Sequence, residues 1–418
     1  MVLSLSLSIP VSGQDSQYST GLVRWRAADD GFRDWTLDGV RLAADGTLRL
    51  DRATADRGSD PYPPAGYHDH DYYNGGTFRV GEALSPVTDT SFGFVEAGAS
   101  WNADTPPGTW IETFLRVRLG ERWTSWYSLG IWASGTRTVA RHSVDEQADA
   151  DGYVDTDTLV VSHQAGPASA FQVRVRLFSA GRVALPSIRN MAVTFSTSPE
   201  QAGTPTPGDP SRWGRILPVP QCSQMVYPDG GEVWCSPTST AMVLSYWQAS
   251  ERPCAPIVHA AVDGVYDWLY DGHGNWPFNT AYAATVKSSQ SLAHKPGSVW
   301  ALSRMRGASS PELEAYVARF DSLAQAEAWI GAGVPVIVSL AWGYQELTGA
   351  AFPASDGHLA VLVGFDSTGN PVVNDPGALT DAAVQRTYLR NEFESAWLRA
   401  RGGTVYLIYP IGWPVPES

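Results

Sequence analysis

Residues 199–212 (Pro-Glu-Gln-Ala-Gly-Thr-Pro-Thr-Pro-Gly-Asp-Pro-Ser-Arg) split this 418-residue chain nearly in half, and the hydrophobic period changes across them. Pro, Gly, Thr and Ser bury too little apolar surface to order such a segment, and alternating prolines hold it extended as a linker. On its N-terminal side apolar residues recur at every second position. Phe114-Leu115-Arg116-Val117-Arg118-Leu119 and Phe171-Gln172-Val173-Arg174-Val175-Arg176-Leu177 alternate apolar with polar, as half-buried antiparallel strands do. Trp123, Trp126, Ile131 and Trp132, then Met191 to Phe195, read as further strands between turn-rich segments. Many short strands without a helix predict a β-sandwich over residues 21–198.

On the C-terminal side the period becomes helical. Thr240, Val243, Leu244 and Trp247 share a helix face, and Ala241 and Met242 widen it, which predicts burial on more than one side. Ala255 to Leu269 and Ser322 to Ile330 are further helices; Val334 to Leu340 and Leu359 to Phe365 are buried strands. Helices followed by a sheet make residues 213–418 an α+β domain. Each half is long enough to bury its own core, so the sandwich is expected to fold independently and to take no part in chemistry.

A formal net charge of -14 excludes a nucleic-acid partner, since tracking phosphates needs surplus Lys and Arg. No run of about 18 apolar residues exists, so no membrane span is expected. Seventeen Trp and 17 Tyr with only 17% charged residues suit β-rich architecture and an extracellular, carbohydrate-associated setting. Residues 1–20 read either as the remnant of a leader or as a disordered terminus. Leu and Ser alternate there, and no Lys or Arg precedes Arg24. The expected location is secreted or cell-surface.

The chemistry gathers around Cys235. It heads the helical run Cys235-Ser236-Pro237-Thr238-Ser239-Thr240, and a proline two positions on fits a first helical turn. Unpaired N–H groups and the helix dipole at that end favour a thiolate. A base and a group to orient it come from far downstream. His358 opens the run Leu359-Ala360-Val361-Leu362-Val363, and Asp375 follows a turn-like Asp366-Ser367-Thr368-Gly369-Asn370-Pro371. A hairpin between those strands would set a carboxylate against the distal ring nitrogen, completing a Cys-His-Asp triad. Asn374 competes with Asp375 for that role, and only one of two adjacent strand residues can face His358. Gln224, 11 residues before Cys235, can supply an amide donor for an oxyanion, although Gln221 stands close by.

These stretches resemble a known family. Val219-Pro220-Gln221-Cys222-Ser223-Gln224, then Cys235-Ser236-Pro237-Thr238-Ser239, His358 and Asn374-Asp375-Pro376, look like the C39-like cysteine peptidases, which have a papain-like fold. Gly274-Asn275-Trp276-Pro277-Phe278-Asn279-Thr280-Ala281 is similar to the secreted bacterial branch. The resemblance spans roughly residues 213–412 and implies Cys235 as nucleophile, His358 as base, Asp375 as orienter and Gln224 in the oxyanion hole. It implies a peptide or protein substrate and no metal or organic cofactor. Ser236 stands where the family usually has Gly, which puts the approach of substrate in question. Members that process bacteriocins are fused to transporters, and nothing of that kind follows here, so double-glycine leaders do not carry over.

Two rival readings stay open: an acyltransferase that resolves the same thioester with an amine or alcohol, and a surface-binding protein on a degenerate peptidase scaffold. Cys222 and Cys254 are either a disulfide pair, as suits a secreted enzyme, or two buried thiols. His68-Asp69-His70-Asp71 reads as a solvated turn sooner than a metal site, and the acidic run from Asp145 to Asp157 lacks complete EF-hand spacing for calcium. Trp276-Pro277-Phe278 fits either a substrate subsite or core. Trp123, Trp126 and Trp132 fit either an exposed platform for a carbohydrate or cell-surface ligand, or sandwich core.

Overall fold

A computed structural model describes residues 18–201, 207–250, 253–292, 302–304 and 311–416. Residues 1–17 of the expected leader and 202–206 of the expected linker lie outside the described residues. Ahead of the linker, two antiparallel sheets face each other. The first runs Gly152–Asp155, Thr158–Val161, Glu96–Asp104, Ser187–Ser196, Leu48–Leu50, Val40–Leu42, with Thr20–Arg26 also paired to Ser187–Ser196. The second is built on Ala168–Ser179, which pairs Thr109–Leu119 on one side and Thr77–Leu84 on the other. The alternation places Phe171, Val173, Val175 and Leu177 in the core between sheets and turns Arg174 and Arg176 outward. The sandwich follows from period-two patterning alone.

In the second half, helix α1 (Cys235–Gln248) is buried from Ser236 through Trp247. It is wedged between α2 (Cys254–Val265), α3 (Trp276–Thr285) and an antiparallel sheet. That sheet runs Leu313–Arg319, Thr404–Pro410, Val336–Trp342, Ser355–Phe365, Pro371–Asn374, Gln385–Thr387. A helix with apolar or small residues all round belongs inside a core, which is where α1 lies. Helix α4 (Leu323–Gly331) packs on the same sheet.

The helix expected to reach Leu269 stops at Val265. Tyr266 turns extended, and the buried Asp267 carboxylate takes over the following backbone: Leu269 and Tyr270 N–H groups donate to it at 3.2 Å each. Asn275 Nδ2 also donates to it at 3.0 Å, just ahead of α3. A side chain that satisfies several N–H groups offers the backbone an alternative to the helix.

The expectation of a self-contained sandwich needs correction. Phe278 and Ala281 of α3 sit inside the sandwich core, with the Phe278 ring 5.4 Å from Trp132 and 6.3 Å from Trp101. The Leu313–Arg319 strand lies across the first sheet of the sandwich. Asn102 Nδ2 donates to the Ala315 carbonyl at 2.6 Å, its Oδ1 accepts from Ala315 N–H at 3.2 Å, and Ser100 Oγ accepts from Val317 N–H at 3.1 Å. Buried ion pairs Arg24–Glu314 and Arg319–Glu96 flank these bonds. The Pro-rich segment joins two halves that share a core.

Candidate active site

Cys235 is the first residue of α1 and half-buried; Cys222 and Cys254 are joined in a disulfide, leaving it the free thiol among the described residues. Helix and sheet are locked together beside it. Ser239 Oγ, one helical turn on, donates to the Leu359 carbonyl at 3.0 Å, so the thiol and the neighbouring His358 are held from one hydrogen-bonded frame. The His358 ring and the Leu359 and Ser236 N–H groups act on the sulfur from beside it. Burial would raise the thiol's pKa, but those three partners outweigh it and hold the thiol below its ordinary value.

His358 lies within the Ser355–Phe365 strand, 2% exposed, with Trp342 and Phe352 rings edge-on at 5.7 and 5.4 Å. The expected hairpin is present. Asp366 Oδ1 accepts from Thr368 and Asn370 N–H groups in its turn, and Leu362 pairs Val373 across it. Asp375 follows the returning strand, and its Oδ1 meets His358 Nε2 at 2.7 Å. Nδ1 is left to face Cys235. Burial acts against the imidazolium, yet the Asp375 carboxylate, seconded by Cys235, raises the ring to about 10. Burial acts against the Asp375 anion too, and His358, Tyr388 and the Gly377 N–H bring it to about 2. Cys235, His358 and Asp375 stand in series, and each shift favours the charged form of its group.

Asn374 points away. Its Nδ2 donates to the carbonyls of Val219 at 3.1 Å and Pro220 at 3.3 Å, fixing the segment that leads to Gln224. Strand parity thus settles the Asn374–Asp375 choice. Gln224 is 1% exposed and lines the same cleft as Cys235; Gln221 does not. Gln224 Nε2 donates to the Glu232 carbonyl at 3.0 Å, which orients the amide. Ser236 does not obstruct substrate: its hydroxyl turns inward to Tyr406 Oη at 3.0 Å.

The cleft over Cys235 encloses about 670 Å³, and the sandwich supplies one wall, the Asp155–Thr158 turn. The sandwich, from which no part in the chemistry is expected, thus reaches the cleft. Asp157 is 5% exposed, and its Oδ2 accepts from Trp276 N–H at 2.6 Å, holding the start of α3 at the cleft. Burial lifts its carboxyl to about 7 in spite of that bond. The Trp276-Pro277-Phe278 alternatives divide between them: Trp276 lines the cleft, while Phe278 is core.

Residues the sequence did not single out complete the site. Tyr388 Oη donates to Asp375 Oδ2 at 2.5 Å and Gly377 N–H to Oδ1 at 2.9 Å, so the carboxylate is held on both oxygens. Tyr388 comes 13 residues after Asp375 with no spacing rule to connect them.

Other candidates resolve differently. Trp132 is fully buried and never a platform; Trp123 and Trp126 are half-buried under the Arg116 guanidinium at 4.6 and 4.5 Å. His68 pairs with Asp145 at 3.1 Å, His70 stacks on Trp268, Asp149 accepts from Tyr127 Oη at 2.6 Å, and Asp151 pairs with Arg122. Among the described residues, no group of three or more His, Cys, Asp or Glu is placed to hold a metal ion. Nor is any helix among them long and apolar enough to cross a membrane.

Comparison with known proteins covers both halves. Residues 216–405 match the Peptidase_C39 like family, and residues 21–196 match the Peptidase C39 N-terminal domain. No curated protein matches the chain. A solved structure described as showing the promiscuous specificity of carbohydrate-binding modules of the β-sandwich superfamily is similar at 10% identity. The match covers 41% of this chain and 54% of that one, with a TM-score of 0.16, which carries no argument.

Proposed function

We propose, on the premise that this chain belongs to the C39-like peptidase family, that it is a cysteine peptidase using Cys235, His358, Asp375 and Gln224. The observation that carries this is the hydrogen bond from His358 to Asp375 with the Cys235 thiol beside the same ring, in a cleft open to substrate. The Cys235 thiolate attacks an amide carbonyl. The oxyanion is held by Gln224 Nε2 and the Cys235 backbone N–H. The imidazolium hands its proton to the departing amine, and water drawn to His358 clears the thioester. The setting is extracytoplasmic in this reading, since the Cys222–Cys254 bridge suits an oxidising compartment.

Incubation of the full chain with a proteome-derived peptide mixture, read by mass spectrometry, tests the activity. Cleavage seen with the native chain and absent with Cys235→Ala is the expected result; no cleavage by either would remove the peptidase reading. Gln224→Ala should lower kcat on the order of a hundredfold with little change in thermal stability, because its N–H matters most once the oxyanion forms. A change confined to KM would take Gln224 out of the oxyanion hole.

The pH profile has a defined sign. His358 is held up to about 10, so the imidazolium persists through neutral pH and is lost only on the alkaline side. Cys235 is held below its ordinary value, so the thiolate is lost on the acid side. A broad bell is expected in kcat/KM. Asp375→Asn removes the charge that raises His358, and the alkaline limb should move to lower pH. An alkaline limb that does not move would mean that another group sets it.

A further inference from the structure

Arg401 lines the cleft over Cys235, yet its guanidinium has neither ion pair nor hydrogen bond among the described residues, and its Nε is buried without a partner. Other part-buried arginines of this acidic chain are answered by the protein, Arg24, Arg319 and Arg390 by the carboxylates of Glu314, Glu96 and Glu327, and Arg141 and Arg79 by backbone carbonyls. An arginine has five N–H donors in a fixed fork and never gives up its charge, so a guanidinium that no protein group answers is free to take an anion entering the cleft.

The fold fixes the backbone at Arg401. The helical run that starts with α5 (Arg390–Glu394) passes through a π-turn segment (Ser395–Arg399) and ends just after Arg401. Gly402 and Gly403, at φ +58° and +59°, stop it with N–H bonds back to the Leu398 and Trp397 carbonyls at 3.0 and 3.2 Å. The C-terminal end of a helix favours a cation, which explains a basic residue at this place but supplies no counter-ion in the cleft. The guanidinium lies directly over Gly357: a Cβ built there would stand 2.6 Å from Arg401 Nη2. Gly357 immediately precedes His358, so only a residue without a side chain lets the charge come this near the base.

We infer that Arg401 binds a carboxylate on the leaving-group side of the substrate, making this an enzyme for peptides that carry a free C-terminus or an acidic side chain just beyond the scissile bond. The inference rests on the peptidase reading, because that reading orients the substrate. The carbonyl oxygen goes to Gln224 and the Cys235 N–H, the departing nitrogen goes to His358, and the chain beyond that nitrogen runs past Gly357 and Arg401. The cleft's carboxylates come from other segments: Asp155 and Asp157 from the sandwich turn, Glu232 ahead of α1 and Asp271 ahead of α3. Among the described residues none of them forms an ion pair with Arg401. A planar fork suits bidentate contact with a carboxylate.

Two experiments on the full chain test this. In the first, Cys235 is alkylated with iodoacetate and with iodoacetamide, reagents alike in reaction but differing by one negative charge, and the modified residue is mapped by mass. The iodoacetate-to-iodoacetamide rate ratio should fall about tenfold in Arg401→Met, which keeps the stem and removes the charge, and less in Arg401→Lys. An unchanged ratio in Arg401→Met overturns the inference. In the second, peptide pairs differ only beyond the scissile bond: free acid against C-terminal amide in one arm, internal Asp against Asn in the other. Preference for the charged member in one arm, reduced about tenfold in Arg401→Met, assigns the source of the carboxylate. No preference in either arm overturns the substrate assignment. Should no peptide be cleaved while the alkylation ratio still falls, the peptidase reading fails and the anion site stands.

Discussion

Replacing Cys235 or His358 with alanine is expected to remove hydrolysis almost completely, by on the order of 10⁴-fold or more in kcat/KM, and the double replacement to cost little beyond either single one. The reason is in the geometry. His358 raises the thiolate fraction of Cys235, and Cys235 with Asp375 keeps His358 protonated, so neither group is in its working state without the other. Asp375→Ala should be milder. Trp342 and Phe352 still clamp the ring edge-on, and the ring samples a productive orientation without the carboxylate. A steady-state double-mutant comparison on one cleaved peptide measures this. Losses for Cys235→Ala and His358→Ala that multiply in the double variant would mean that the two act separately, contrary to a nucleophile–base pair.

What could be read from the residues divides along a physical line. Features set by local pattern were legible: the alternation that puts Phe171, Val173, Val175 and Leu177 between sheets, the all-round burial of α1, and the turn at Asp366 that returns the strand toward His358. The meeting of Cys235, His358 and Asp375 was legible for the same reason. Each sits at the start, on, or at the edge of an element whose direction its neighbours dictate. Asn374 and Asp375 could be separated only in part, because strand parity says that one of them faces His358 but not which one.

What local pattern does not encode was missed. The helix that should have reached Leu269 ends early because Asp267, a residue with no unusual neighbours in sequence, becomes the acceptor for backbone on both halves, including Ser143 N–H at 3.0 Å. Tyr388 and Arg401 enter the site from segments after the Cys-His-Asp constellation is already complete, and no periodicity points to them. The largest error concerned the sandwich. A Pro-rich segment reports that the chain between two units buries little. It says nothing about whether the units bury surface against each other, and Phe278, which the sequence left between subsite and core, is one of the side chains that join them.

A chain that begins at Trp213 should therefore be insoluble or inactive, although it retains Cys235, His358, Asp375 and Gln224. Three losses add. Phe278 and Ala281 of α3 would leave the core they occupy between Trp101 and Trp132. The Leu313–Arg319 strand would lose its bonds to Asn102 and Ser100, and Arg319 would be left without Glu96. The start of α3 would lose the Asp157 carboxylate that holds Trp276 at the cleft. Removing one partner of a buried charge pair alone costs about 3–5 kcal/mol, comparable to a large share of the stability of a whole domain. Because such a truncation can fail for reasons of its own, Phe278→Ala in the full chain is the sharper test. Emptying a fully buried phenylalanine site is expected to cost about 3–5 kcal/mol and to lower the Tm of both halves together. One cooperative transition that shifts as a unit, read by calorimetry with the intact chain as reference, is the expected result. Two transitions of which only one moves, or a soluble chain from Trp213 that cleaves peptide at the full rate, would restore the sandwich as a separate unit and take its wall out of the active site.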